Sequence, residues 1–192
     1  MATSRSGTDD GHATRLGVDD WVRAGFAVLA EQGIKALKVD VLCSHLGVTK
    51  GSFYWHFDGM PAYRAALIDA WGTLRDGDRR DFDDMTGVAP REQLSRMMTS
   101  LVSPRHWMLE RAMREWARSD DAVAASVRDA DRRVLRAVRR AFVAYGFDAD
   151  EAGLRADATF AAGIGFLHLS GPVPPAQDAA RIDRFLELML AR

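Results

Sequence analysis

The sequence holds a single cysteine, Cys43, in 192 residues. That excludes an internal disulfide and any zinc site built from several cysteines. Uncharged apolar runs stay well short of a bilayer span, so no transmembrane helix is expected. The opening stretch MATSRSGTDDGHATRLG has no apolar core of the kind a secretory signal needs, and a cytosolic protein is expected. A basic excess is also missing. Lys and Arg total 26 against 27 Asp and Glu, and the first 64 residues carry seven of each sign. Any affinity for nucleic acid therefore has to come from local geometry rather than bulk charge. Lysine is scarce, and Lys35, Lys38 and Lys50 are the full set. There is no HExxH, P-loop or nucleophile elbow. Gly163-Ile164-Gly165 follows no strand and lacks a third glycine at nucleotide-binding spacing. Asp76, Asp78, Asp81, Asp83 and Asp84 lack the glycine and terminal glutamate of a calcium loop, and that stretch reads as a solvated linker. No catalytic residue, metal or cofactor is expected.

What is present is helical periodicity, with no convincing alternating strand. Residues 1–17 are small and polar and read as a disordered arm. A first helix is expected from about Asp19 to Gln32, with Val22, Phe26 and Leu29 on one face and Gly33 as its stop. Short helices follow over Val39–Leu46 and Lys50–Phe57, the second with Thr49 as N-cap. A fourth begins near Pro61 and carries Tyr63, Leu67, Ile68, Trp71 and Leu74 before dissolving into DGDRRDFDDMTG. Pro90 and Pro104 open the fifth and sixth, the latter striped by Leu109, Ala112, Met113 and Trp116. Asp120 caps a long seventh helix that ends at Gly146. Its stripe is Val123, Val127, Ala130, Val134, Val138, Ala141 and Tyr145. An eighth spans about Asp150–Leu169, GPVPP stops it, and a ninth covers about Gln177–Ala191. The expected fold is all-α with about nine helices: a helix-turn-helix unit over 18–60 and a larger helical domain over 61–192.

The segment VDVLCSHLGVTKGSFYWHF, Val39–Phe57, carries the functional signal. It reads as helix, tight glycine turn, helix, both helices too short to be stable alone. Leu42, Leu46, Val48, Phe53 and Phe57 supply a small shared core. With Phe53 and Phe57 fixed inward, the 100° step of the helix sends Trp55 outward. Lys50, Gly51, Ser52, Tyr54 and His56 fall on the exposed face or its flanks. Such a face suits a DNA major groove, with hydroxyls and amines for phosphates and base edges and aromatics for thymine methyls. The alternative is internal, with Trp55 plugging a cleft within the chain. Cys43 reads as a small core residue.

These residues resemble the TetR family of bacterial regulators, those similar to the tetracycline repressor. The resemblance runs from about Trp21 to Leu67 and rests on AGFAVLAEQG, LGVTKGSFYWHF and PAYRAALIDAW. It implies that Thr49, Lys50, Ser52, Tyr54, Trp55 and His56 sit where the family touches DNA, Tyr54 and His56 mostly on phosphates. Lys38, Gly51 and Arg64 complete the expected contact set. Two departures stand out. Met60 replaces a lysine that grips a phosphate in the family, and Arg64, one turn on, is its expected substitute. Leu37 and Lys38 stand where the family favours hydroxyl residues.

The resemblance further implies a homodimer and a cavity for a small effector in the C-terminal helices. Trp71, Trp107, Met108, Met113, Trp116, Phe142 and Tyr145 are the candidate lining, suited to an apolar or aromatic molecule, with His106 and His168 as polar candidates. The bland reading of each is core packing. Small residues on one side of the eighth helix, Ala158, Ala161, Ala162 and Gly165, permit close helix approach. With Ile182, Phe185, Leu186 and Met189 of the ninth they are the expected dimer interface, intrachain packing being the other use of such residues. The resulting expectation is a ligand-responsive repressor acting as a homodimer on a palindromic operator. The alternative is an all-helical small-molecule-binding protein or enzyme with a vestigial helix-turn-helix.

Overall fold

Asp20 starts the molecule's first helix by folding back on it. Its carboxylate accepts the Gly17 N–H at 2.7 Å, using an N–H that no helical carbonyl can reach. That bond, with the neighbouring Arg23 guanidinium, holds the Asp20 carboxyl below the usual carboxylate range. Helix α1 (Val18–Gln32) ends at Gly33, and a 3-10 turn, Ile34–Ala36, leads into α2 (Val39–Leu46). Gly47 closes α2 in the left-handed region at φ 67°, a conformation that costs glycine nothing. Next come α3 (Lys50–His56), α4 (Gly59–Asp83), α5 (Pro90–Leu101), α6 (Pro104–Trp116), α7 (Asp121–Tyr145), α8 (Ala149–Leu169) and α9 (Ala179–Leu190). The structure is a computed structural model that describes residues 16–85, 87–101, 104–169 and 179–191, and among these it contains helices and no strands. Most of the expected disordered arm, the GPVPP stop and the expected start of the ninth helix at Gln177 lie outside the described residues.

The expected all-α architecture is the one observed, with one correction of extent. The charged stretch after Leu74 does not dissolve: α4 continues helical to Asp83. Two contacts explain its persistence. Asp76 pairs with Arg133 of α7 at 3.1 Å, and Arg80 Nε donates to the Asp76 carbonyl one turn back. The aspartates of this stretch thus ride on a helix docked along α7 rather than on a linker.

Two cores hold the helices. The first gathers Trp21, Val28 and Leu29 of α1, Leu42 and Cys43 of α2, and Phe53 of α3. It continues through Tyr63, Leu67 and Trp71 of α4 into Met113 and Trp116 of α6 and Val123, Val127 and Ala130 of α7. It therefore runs unbroken from the helix-turn-helix unit into the larger helical part. The second joins Leu94 and Met97 of α5, Ala137, Val138, Ala141 and Phe142 of α7, Ala152 and Ala156 of α8, and Leu186 and Leu190 of α9. Helix α7 serves both, which is why its apolar stripe is so long. Its N-terminus is capped by Asp120, which accepts from the N–H groups of Ala122 and Val123 at 3.1 and 3.2 Å.

Candidate nucleic-acid interface and effector cavity

The third helix is fixed from one side by rings. Phe53 is fully buried and meets Trp21 edge-on at 5.4 Å between centroids, while Phe57 packs against Tyr63 at 4.9 Å. Edge-to-face pairs of this kind add to the stabilisation from burial itself. Tyr63 is the keystone. Its hydroxyl, buried, donates to the Trp21 carbonyl at 2.7 Å and so ties α4 to α1. Burial pushes that phenol well above its usual range, so it stays protonated. Gly25 makes room for this junction. A Cβ there would stand 2.2 Å from the Tyr63 hydroxyl oxygen and 2.8 Å from a Leu67 methyl, and so could not be accommodated without a shift. Sequence patterning names Gly25 only as part of a helix, because a close approach between helices leaves no mark on either one alone.

The opposite face of α3 is bare. Tyr54 and Trp55 are 60% and 65% exposed. The half-buried His56 ring lies perpendicular to Trp55 at 4.5 Å. Thr49 has the extended backbone of an N-cap, but its hydroxyl makes no capping bond, contrary to the role expected for it. Lys50 reaches Asp40 of α2 at 2.5 Å, both groups exposed, and the carboxylate raises the lysine's pKa. Ser52 is half-buried, and Gly51, Lys38 and Arg64 are exposed. A Cβ on Gly51 would meet only the Thr49 hydroxyl, at 3.7 Å, so nothing within the chain requires glycine there. The structure thus brings Thr49, Lys50, Gly51, Ser52, Tyr54, Trp55 and His56 onto one short helix, with Lys38 at the start of α2 and Arg64 on α4. Met60 packs against the first core rather than reaching outward. Cys43 is buried, and burial raises its thiol, which makes it a core residue.

The expected effector lining is placed differently. Trp71, Trp107, Met113, Trp116 and Phe142 are at most 1% exposed. Trp71, Met113 and Trp116 belong to the first core and Phe142 to the second. The physical reason is their stripe spacing, which turns them onto neighbouring helices. Tyr145 sits at the end of α7, stacked on Phe147 at 5.7 Å, and Met108 is half-buried. A cavity of about 790 Å³ lies elsewhere, between α4, α5, α6, α7, α8 and α9, and none of these seven residues lines it. Its walls include Met98, Val134, Val138, Phe160, Ile164 and Ile182, with Glu110 and Thr159 as buried polar groups and Arg75 and Arg114 half-buried beside them. His168 is exposed, and the side chain of His106 lies outside the described residues.

Around Glu110 the polar groups are linked. Glu110, 3% exposed, accepts from Arg114 at 2.7 Å and lies 3.8 Å from Arg75. Arg114 also pairs with Asp131 through two bonds, at 2.6 and 3.0 Å. Burial opposes the Arg114 charge, but the bonds to Asp131 and the Glu110 charge prevail and raise its pKa. The Glu110 and Arg114 spacing, four apart on α6, is readable in sequence; their meeting with Arg75 is not.

Of the expected dimer residues, Ala158 and Ala161 are exposed, and Ala162 and Gly165 are partly so. A Cβ on Gly165 would meet open space. Leu154, Leu169 and Leu188 are large, apolar and exposed by 67%, 84% and 63%. Leu186 is fully buried in the second core, and Ile182 and Met189 pack against that core, so this side of α9 is taken up within the chain. Phe185 is half-buried at the cavity wall. Among the described residues no helix is long and apolar enough to cross a membrane.

Residues 22–62 match the family of bacterial regulatory proteins, tetR family. No curated protein matches the chain in sequence. Several solved structures are similar over nearly their whole length. One is a candidate TetR-family transcriptional regulator from Rhodococcus sp., at 15% identity, covering 91% of this chain and 98% of that one, with a TM-score of 0.67. Another is a transcriptional regulator from Rhodococcus sp. Rha1, at 18% identity, 91% and 96% coverage and a TM-score of 0.69. A third is the fatty acid degradation regulator FadR from Bacillus halodurans, at 14% identity, 91% and 98% coverage and a TM-score of 0.63. At these identities the likeness is one of fold.

Proposed function

We propose that the chain binds operator DNA as a homodimeric, ligand-responsive transcriptional repressor, a reading supported by the match of residues 22–62 to the tetR family and by a fold like that of solved regulators of that family. The observation that carries this reading is the division of α3. Phe53 and Phe57 lock one face into the core, while Tyr54 and Trp55 stand more than half exposed on the other. Adjacent exposed aromatics on a short helix whose other face is held in the core suit a binding surface. In a major groove, Trp55 contacts base edges and sugars, and the Tyr54 hydroxyl reaches a phosphate. Thr49, Lys50, Ser52 and His56 contact phosphates and neighbouring bases, and Lys38 and Arg64 extend the contact to the flanking backbone. Gly51 lets that backbone come close.

Two copies pair through the outward face of α8 and α9, where Leu154, Ala158, Ala161, Gly165 and Leu188 present small and apolar side chains. Leu188→Asp therefore yields a monomer at micromolar concentration by light scattering. A monomeric wild type would overturn the dimer. Effector binding in the helical domain shifts the balance between two spacings of the recognition helices, and only a difference in affinity for the two can do so. The rival reading, a small-molecule-binding protein with a vestigial helix-turn-helix, draws on the inward packing of Met60 and the pairing of Lys50 with Asp40.

Footprinting on the DNA flanking the chain's own coding region separates the two. The expected result is a protected palindrome with half-site centres about 34–36 Å apart, one DNA turn. Binding should weaken steeply with salt as phosphate contacts release counterions. Absence of both salt-dependent binding and a protected palindrome favours the rival. A reporter downstream of the protected site then shows lower expression in the presence of the protein if it represses.

A further inference from the structure

The recognition helix, KGSFYWH, carries one fixed cation, Lys50, and no acid. The Lys50 ammonium lies 2.5 Å from a carboxylate oxygen of Asp40, across the glycine turn on α2, with both side chains largely exposed. Among the described residues, Lys38 and Arg64 form no ion pair. Of the fixed cations in the contact set, Lys50 is thus the one with an acid attached to it.

The structural uses of Asp40 do not account for this arrangement. An ion pair so exposed adds little to stability. Asp40 also stands in the first turn of α2, where the helix dipole favours a carboxylate, but that asks for no lysine on the next helix. The consequence for DNA is larger. Lys50 and Tyr54 lie one turn apart on α3, so the pair borders the exposed aromatic face. Cations on phosphates supply essentially all of the affinity for DNA of arbitrary sequence. Residues 1–64 hold seven bases against seven acids, so a single lysine withheld from phosphate is a large share.

We propose that Asp40 is a specificity-determining residue: by holding Lys50 on the chain, it lowers binding to duplexes of arbitrary sequence more than binding to the operator. This rests on the DNA-binding reading above. On arbitrary sequence no base contact fixes the register, so the complex settles wherever most cations reach phosphates. A Lys50 freed from Asp40 finds a phosphate there. On the operator, base contacts hold α3 in a single register, and a freed Lys50 gains a phosphate only if one falls within its reach. The uncharged contacts of Trp55, Tyr54, Ser52 and Thr49 do not depend on Asp40 at all. A carboxylate on α2 thus widens the gap between right and wrong sequences without touching a base.

Anisotropy titrations of the full chain against a labelled random-sequence duplex and the protected palindrome, from about 50 to 200 mM salt, test this. Asp40→Asn keeps the side chain's size and removes its charge. It is expected to tighten random-duplex binding about three- to five-fold, the range an exposed pair allows, and palindrome binding less than about two-fold. The slope of log affinity against log salt on the random duplex should steepen by about one, as one added phosphate contact requires. The melting temperature should hardly move. In a Lys50→Met background the slope should no longer respond to Asp40→Asn. Random-duplex binding no tighter in Asp40→Asn overturns the proposal, and so does an equal gain on both duplexes. An equal gain and slope change in the Lys50→Met background also overturns it, since the carboxylate's own repulsion would then be the cause. Each of these leaves the DNA-binding reading in place; a wild type that binds neither duplex removes that reading and the proposal together.

Discussion

The helix-turn-helix unit and the cavity between α4 and α9 handle polar atoms in opposite ways. At the junction of α1, α3 and α4, the buried Tyr63 hydroxyl is paired, and the rings divide cleanly between an inward face and an outward one. Around the cavity, the buried Glu110 shares a network with the half-buried Arg114, and the Thr159 hydroxyl is left without a partner. The first region is a ring-packed platform with Tyr54 and Trp55 on its surface. The second keeps its unsatisfied chemistry inside. Protein interiors tolerate such groups chiefly where something else is to meet them.

The contrast is broken most severely at its two anchors. Glu110→Ala removes the carboxylate that Arg114 and Arg75 share; Arg114 keeps Asp131, so the cost is expected at the lower end, about 3 kcal/mol, of what breaking a buried ion pair takes. Chemical denaturation reads this directly; a loss below about 1 kcal/mol would mean that solvent reaches the network freely. Phe53→Ala, on the recognition side, costs a similar ~3–5 kcal/mol by emptying a ring-sized volume from the first core. Because that core continues into α6 and α7, the whole domain, not only α3, is expected to lose stability in the same transition.

A subtler pair sharpens the account of the junction. Gly25→Ala crowds the Tyr63 hydroxyl and should cost about 1–3 kcal/mol as overpacking does. In a Tyr63→Phe background the clashing oxygen is gone, so the same substitution should cost clearly less. A double-mutant cycle measures the difference. Equal costs in both backgrounds would show that Leu67, and not the tyrosine, sets the limit.

The smallest effect concerns Asp20. Its carboxyl is depressed below the ordinary value of 3.8, first by the Gly17 N–H and then by Arg23. A depressed carboxyl stabilises the fold above its unfolded value and loses that contribution as pH falls through the lower folded value. Asp20→Asn should therefore lower the melting temperature slightly at pH 6 and make no difference once the carboxyl is protonated.

The two regions also differ in how far the sequence discloses them. The recognition helix is legible because its inward and outward residues alternate within seven positions, so Phe53 and Phe57 fix where Tyr54 and Trp55 point. The stripe of α7 is legible for the same reason. The cavity draws its lining from six helices, and nothing in the local spacing of Arg75 on α4 or Thr159 on α8 assigns them to the same wall. Large apolar residues such as Trp71 and Met113 suggest a lining, yet size and burial make them core, and smaller or mixed residues are left to form the walls. The helical course of residues 75–83 is hidden too, because its support comes from Arg133 on another helix.

The claim at the centre is that the outward face of α3 reads DNA while its inward face holds the fold. Fluorescence anisotropy with the protected palindrome, paired with thermal melting, tests it on Tyr54→Ala and Trp55→Ala. Each substitution should weaken specific binding by about 1–3 kcal/mol, as lost base or backbone contacts do, with the melting temperature unchanged. Unaltered affinity accompanied by a large fall in melting temperature would contradict the account and return both side chains to the core.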